Sequence, residues 1–320
     1  MPLGEFDLIA KYFSRPPRRA AVGVGDDCAV FAAASGQQLC VSTDMLVEGR
    51  HFLSTVAPQR LGHKALAVNL SDLAACGATP LAFTLALALP RADEVFLEGF
   101  AHGLWALAER FDIDLVGGDT TAGPLNICIT VFGEVPHGRA ILRSGAAVGD
   151  ELWVSGRLGD ARAALECFRG HLALSAAGFE QARAAMEMPQ PRVHLGSRLR
   201  GIASSAIDIS DGLLGDLGHL MRRSGVGASV RLNALPRSDL LAALPPQMQQ
   251  TCLLHGGDDY ELLFSAPAAR HGAVVAAGAA ADTPVTCIGR IESGSALRVL
   301  DGAGGVVDVA ERGFDHFLPA

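Results

Sequence analysis

Apolar and polar positions along the chain divide it into strand-like and helix-like stretches. QLCVST (38–43), AFTLALAL (82–89), DLVGG (114–118) and NICITVFGEV (126–135) read as strands. Residues 60–76 and 93–111 read as helices between them. In the second, Phe96, Phe100, Leu104 and Leu107 recur at three- and four-residue spacing along one side, while Val95, Gly99, His102, Ala106 and Glu109 run along another. LAACGATPLAFTLALALP (73–90) is broken by Gly77 and Pro80, so it reads as a helix end, a turn and a strand, not a membrane span. HGRAILRSGAAVGD precedes a fresh strand, ELWVSG, and marks a boundary near 137–150. Beyond it come helices at 159–169 and 177–187, a proline-rich break (MPQPR), the strand SSAIDIS and a helix from Leu213 stopped by Gly225. Ser210 or Asp211 is the expected N-cap of that last helix. Strands and helices mixed in both halves predict an α/β fold of two domains, 1–138 and 139–320.

Length agrees, since 320 residues exceed one typical core. A net charge of −8 argues against a nucleic-acid surface, and the RPPRR run at 15–19 reads as a solvated loop. Seven cysteines (28, 40, 76, 128, 167, 252, 287) form no CxxC pair and no zinc spacing, as for reduced thiols in the cytoplasm. The N-terminal MPLGEFDLIAKYF has no long apolar core of a signal peptide. The composition predicts a soluble, cytoplasmic protein with no membrane partner.

Six acidic motifs carry the candidate chemistry: GVGDD (23–27), STD (42–44), NLSD (69–72), GGD (117–119), DISD (208–211) and GGDDYE (256–261). Most follow an apolar run, which puts the aspartate where a buried strand ends. Aspartate is costly to bury unpaired, so several at strand ends call for compensating cations, and oxygen donors suit magnesium carrying phosphates. Each motif also has a plainer reading as a turn or cap. Asp72 aligns with Leu61, Ala65 and Val68 on the helix face expected to be buried, where a simple cap has no need to be, and this favours metal binding. GGDTT reads as a turn after a strand, with glycine backbone for phosphate or for the turn alone. In DISD, Asp208 and Ser210 share one side of an extended strand. Arg143 is a possible phosphate clamp and otherwise a surface arginine. His51 reads as a surface or hydrogen-bonded histidine. A Walker A loop is excluded, because neither lysine follows a glycine.

Taken in order, GDDCAV, STDMLVEGRHF, ALAVNLSDLAACGATP, GGDTT, GRAILRSGA, IDISDGL and GGDDYELLF resemble the thiamine-monophosphate kinase family of the aminoimidazole ribonucleotide synthetase superfamily. The resemblance spans essentially the whole chain. It implies an N-terminal ATP/Mg-binding α/β domain (1–138) whose sheet pairs across a homodimer, and a C-terminal α/β domain (139–320) that completes the active site. It implies ATP-dependent phosphorylation of thiamine monophosphate to thiamine diphosphate, by direct in-line transfer assisted by several Mg2+ ions and without a general base. By motif position, Asp27, Ser42, Thr43, Asp44, Asp72, Asp119, Asp208 and Asp211 look like magnesium ligands. Gly118, Asp119, Arg143 and Ser210 look like ATP contacts, and His51, Asp258 and Phe314 like substrate contacts. Phe111 and Phe314 stand where relatives often carry Tyr and Trp; stacking on the nucleotide is the role left to Phe111. The purine-pathway synthetase is the competing enzyme reading, and a non-catalytic nucleotide-binding module the competing class.

Overall fold

The computed structural model describes residues 4–24 and 28–309. The chain forms two units, residues 1–73 with 78–138, and residues 74–77 with 139–320.

In the first unit a short helix α1 (Glu5–Leu8) precedes β1 (Gln37–Val47), α2 (Pro58–Ala75), β2 (Thr79–Leu89), α3 (Glu94–Arg110), β3 (Asp114–Ala122) and β4 (Asn126–Pro136). The strands form one sheet in the order β1-β4-β2-β3, antiparallel except for the β2–β3 pair. Alternation fixes two faces. Ser42, Asp44 and Leu46 of β1 share a face with Val131, Ile129 and Ile127 of β4 and with Phe83, Leu85 and Leu87 of β2. Leu39, Val41 and Met45 lie on the other face, each about half exposed (49%, 57% and 52%).

Helix α2 is buried from Leu61 to Ser71 without a break. It therefore has no single apolar stripe, and the alignment of Asp72 with Leu61, Ala65 and Val68 does not single out a face; this corrects the periodicity argument. Glycines let α3 cross it closely: a Cβ on Gly62 would stand 2.0 Å from the Phe100 carbonyl, and one on Gly103 1.8 Å from that of Gln59.

RPPRR is an exposed loop, as expected, but its arginines are pinned. The Arg15 guanidinium lies 4.0 Å from the Trp105 ring centroid and bonds Glu109 at 2.5 Å. Asp114, 5% exposed, accepts the main-chain N–H groups of Arg18 and Arg19 at 2.7 and 2.8 Å and the Arg18 Nε–H at 2.8 Å. Both guanidinia also bond Asp112. The run clasps the start of β3.

The second unit holds β5 (Glu151–Ser155), α4 (Asp160–Phe168), α5 (Ala176–Glu187), α6 (Val193–Leu199), β6 (Ser205–Asp208), α7 (Leu213–Ser224) and β7 (Gly227–Arg231). These are followed by α8 (Asp239–Ala242), α9 (Pro246–His255), β8 (Leu262–Ala266), α10 (His271–Ala280), β9 (Val285–Glu292), β10 (Leu297–Leu300) and β11 (Val306–Val307). Its sheet runs β11-β10-β7-β9-β5-β8-β6. Leu152, Val154, Ile207, Leu217, Leu263 and Ile288 belong to its core. Gly225 ends α7 in the left-handed region (φ 68°), as its position predicted. The N-cap differs: Gly212 occupies it, and neither Ser210 nor Asp211 caps the helix. Among the described residues no helix is long and apolar enough to cross a membrane.

Candidate functional site

In the first unit, strand β1 and helix α2 bring two of the motifs together. The Ser42 hydroxyl donates to Asp72 Oδ2 at 2.5 Å, and the Asp44 N–H donates to Asn69 Oδ1 at 3.1 Å. Asn69, 1% exposed, is held in turn by its own amide bonding the Ala65 carbonyl at 2.9 Å. Sequence reasoning passed over Asn69, although it stands three residues before Asp72 in the same motif. Ser42, Asp44 and Asp72 offer only oxygen donors, a set that suits a hard cation.

Thr43 does not join them. Its side chain points to the opposite face, where its hydroxyl meets that of Thr130 at 2.8 Å. The Asp44 N–H leaves the sheet for Asn69, so alternation turns the Thr43 backbone toward β4. The period of the strand thus separates Thr43 from Ser42 and Asp44 and places it on the face that carries Asp119.

GGDTT is likewise not a turn but the middle of β3. Gly118 pairs with Leu85, and a Cβ there would stand 1.9 Å from the Leu85 carbonyl, so backbone packing alone demands glycine. One row across the helix-facing side reads Asp44, Ile129, Leu85, Gly118; the row behind it reads Met45, Cys128, Ala86, Asp119. Asp119 is thus on the other face from Asp44, and three strand spacings away, about 14 Å.

His51 lies in the turn after β1. Its Nδ1 accepts the Val47 N–H at 3.0 Å, and its carbonyl accepts Lys64 Nζ at 3.0 Å. Phe111 is 6% exposed at the end of α3, with the Arg110 guanidinium 5.2 Å from its ring centroid. Asp27 and Phe314 lie outside the described residues.

In the second unit the two acidic loops are joined main chain to main chain. Ile209 N–H donates to the Glu261 carbonyl at 2.8 Å, Tyr260 N–H to that of Ile209 at 2.8 Å, and Asp258 N–H to that of Ser210 at 3.0 Å. Gly257 permits this approach, since its Cβ would stand 2.4 Å from the Ser210 carbonyl. Asp258 (φ 66°) and Tyr260 (φ 49°) are both held in the left-handed region, a strain that surrounding contacts must offset. β6 ends at Asp208, which is 4% exposed, so Ser210 lies beyond the strand and not on its face.

What fixes this loop is a residue the motif reading missed. Asp216, 3% exposed in the first turn of α7, accepts the N–H groups of Ser210 and Asp211 through Oδ2, both at 3.1 Å. Burial, then the Asp211 carboxylate, pushes its carboxyl up to about 7, while Arg143 opposes the rise. Arg143, Ser210 and Asp211 therefore share one neighbourhood. A carboxyl raised in the folded state binds more protons there than in the unfolded chain. The stability it supports is full below about pH 4, the unfolded value, and is lost as pH rises through about 7. Asp216→Asn keeps an acceptor for both N–H groups and removes the titration. With magnesium chelated, the variant is expected to gain on wild type by up to about 4 kcal/mol between pH 4 and pH 8.5. Denaturant unfolding at both pH values measures the gain, and an unchanged difference would refute it.

Among the described residues no three His, Cys, Asp or Glu side chains gather at one point as a metal nest. The first unit carries Ser42, Asp44, Asp72, Gly118 and Asp119; the second carries Arg143, Asp208, Ser210, Asp211 and Asp258.

Comparison with known proteins gives this arrangement its family. Residues 25–135 match the N-terminal domain, and residues 147–302 the C-terminal domain, of AIR synthase related proteins. The thiamine-monophosphate kinase of Salmonella typhimurium is 44% identical over 322 residues, 99% of each chain. A crystal structure of thiamine-monophosphate kinase from Stenotrophomonas maltophilia superposes with TM-score 0.84 at 43% identity, covering 93% of this chain and 97% of that one. AaThiL complexed with AMPPCP and TMP superposes with TM-score 0.77 at 32% identity over 89% of both chains. The chain belongs to the thiamine-monophosphate kinase family of AIR synthase related proteins.

Proposed function

We propose that this chain phosphorylates thiamine monophosphate to thiamine diphosphate with ATP as co-substrate, by direct in-line transfer, in the cytoplasm. The observation that carries this reading is likeness over the full length to thiamine-monophosphate kinases, one of them complexed with AMPPCP and TMP. The nucleophile is a phosphate oxygen, anionic at neutral pH, so the reaction needs positioning and charge neutralisation and no protein base. That oxygen bonds to the γ-phosphorus as the bond to the β-phosphate bridge breaks, and ADP leaves. Arg143 and the Ser210 loop hold phosphate oxygens, while His51 and Asp258 orient the acceptor. The oxygen donors of Ser42, Thr43, Asp44, Asp72, Asp119, Asp208 and Asp211 suit several magnesium ions, with Asp27 expected among them. Magnesium bound there supplies neutralisation of phosphate charge. In this reading the N-terminal domain binds ATP and metal, and the C-terminal domain completes the site.

A homodimer follows from the same reading. Asp44 and Asp119 cannot serve one site from the same sheet, as they stand on opposite faces and on its two outer strands. A second copy laid against the half-exposed Leu39, Val41 and Met45 supplies what one chain lacks.

Incubating the protein with ATP, magnesium and thiamine monophosphate and assaying for thiamine diphosphate tests the activity. Direct transfer predicts intersecting initial-rate lines and no ADP burst without the acceptor. Parallel lines, or labelled phosphate retained on the protein after ATP alone, would replace it with a phosphoaspartate path.

A further inference from the structure

We infer that Lys64 is a positioning residue for His51: from within α2 its ammonium locks the turn after β1 so that the imidazole presents one fixed N–H donor to the substrate phosphate. The inference rests on the kinase reading for the identity of the phosphate, but its geometry stands apart from it. Lys64 is one of only two lysines in the chain and is 1% exposed. Burying an ammonium is costly, and lysine is almost never fully buried without a task that repays it. Its Nζ donates to the His51 carbonyl at 3.0 Å. Short-range bonds also close the turn: Arg50 and His51 N–H to the Val47 carbonyl at 3.1 and 3.0 Å, and Gly49 N–H to that of Phe52 at 2.8 Å.

The ring is fixed from the other end. A main-chain N–H can only donate, so the Val47 N–H bonded to His51 Nδ1 at 3.0 Å makes that nitrogen an acceptor. The ring proton therefore sits on Nε2, and His51 meets its surroundings as a donor. A donor is what a phosphate dianion needs. Glu48 and Phe52 of the same turn line a cavity of about 430 Å³ with Leu53, Leu61 and Phe96, so a shift of the turn alters that wall as well.

The test is Lys64→Met, which keeps the length and apolar stem while deleting the donor. We expect KM for thiamine monophosphate to rise at least about tenfold, the scale seen when an outer-shell partner is removed. KM for ATP and kcat should stay within about twofold. In a His51→Ala background the same substitution should change KM for thiamine monophosphate by less than about twofold, because the imidazole that Lys64 positions is gone. Equal damage to both KM values, an unchanged KM, or an effect that persists in the His51→Ala background would overturn the inference. Nitrogen-15 spectra of histidine-labelled wild-type protein supply a readout independent of activity and of the variant's folding. A protonated Nε2 and bare Nδ1 at His51 support the inference, and the reverse tautomer overturns it. A wild-type protein inactive on thiamine monophosphate would sink the kinase reading while leaving these spectra to decide the geometry.

Discussion

Asp72→Asn is expected to lose on the order of a thousandfold in kcat, about 4 kcal/mol of barrier, while keeping its fold. The substitution is nearly isosteric. The asparagine oxygen still accepts the Ser42 hydroxyl that now meets Oδ2 at 2.5 Å, and the side chain is only half-buried at the end of a helix packed by other residues. What disappears is one negative charge among oxygen donors. Without it the site loses attraction for a hard cation and, through the cation, for two polyanionic substrates. Turnover at saturating substrates beside a thermal melt separates the two effects. A variant within about tenfold of wild type would show that the Asp72 carboxylate holds no central metal.

Mixing two inactive variants should restore activity. If Asp44 of one copy works with Asp119 of the other, Asp44→Ala and Asp119→Ala each disable both sites of their own homodimer. After subunit exchange about half of the dimers are mixed, and each mixed dimer has one intact site and one doubly damaged site. Recovery to about a quarter of wild-type activity is the expected result. In the sheet, Asp119 sits in a row with Ala86, Cys128 and Met45, behind the row that contains Asp44. No recovery, with exchange verified by mass spectrometry of differently tagged subunits, would return both acids to a single chain.

The strands and helices of the first unit were legible because their cores are built from period-2 and three-to-four-residue patterns, and β1 to β4 fall where those patterns lie. The acidic motifs were legible as chemistry but not as geometry. Thr43 was grouped with Ser42 and Asp44 because a motif ignores which way a strand residue points. The face of Asp119 depends on register with β2, including the shift between Phe83 and Thr84, which no local window contains. The pinning of the exposed RPPRR loop was not legible because its partners Asp112 and Asp114 are about a hundred residues distant. Asp216 was hidden in the amphipathic pattern of α7, and Lys64 in the apolar run of α2, where a charged residue is easily read as surface. Tertiary partners decide all of these, and single-sequence patterns carry no information about them.

The eleven-residue strand β1 ends the order of its sheet, carries Asp44 as its one charge, and has three half-exposed hydrophobic side chains on one side. Such a strand is a template for unwanted pairing as readily as for a proper partner. If a second copy covers this face, as proposed, then dilution, or synthesis of single chains ahead of their mates, exposes a segment able to aggregate. Replacing Asp44 would remove its only gatekeeping charge, so such variants call for expression at low temperature and, if the proposed homodimer forms, handling at concentrations that keep it assembled.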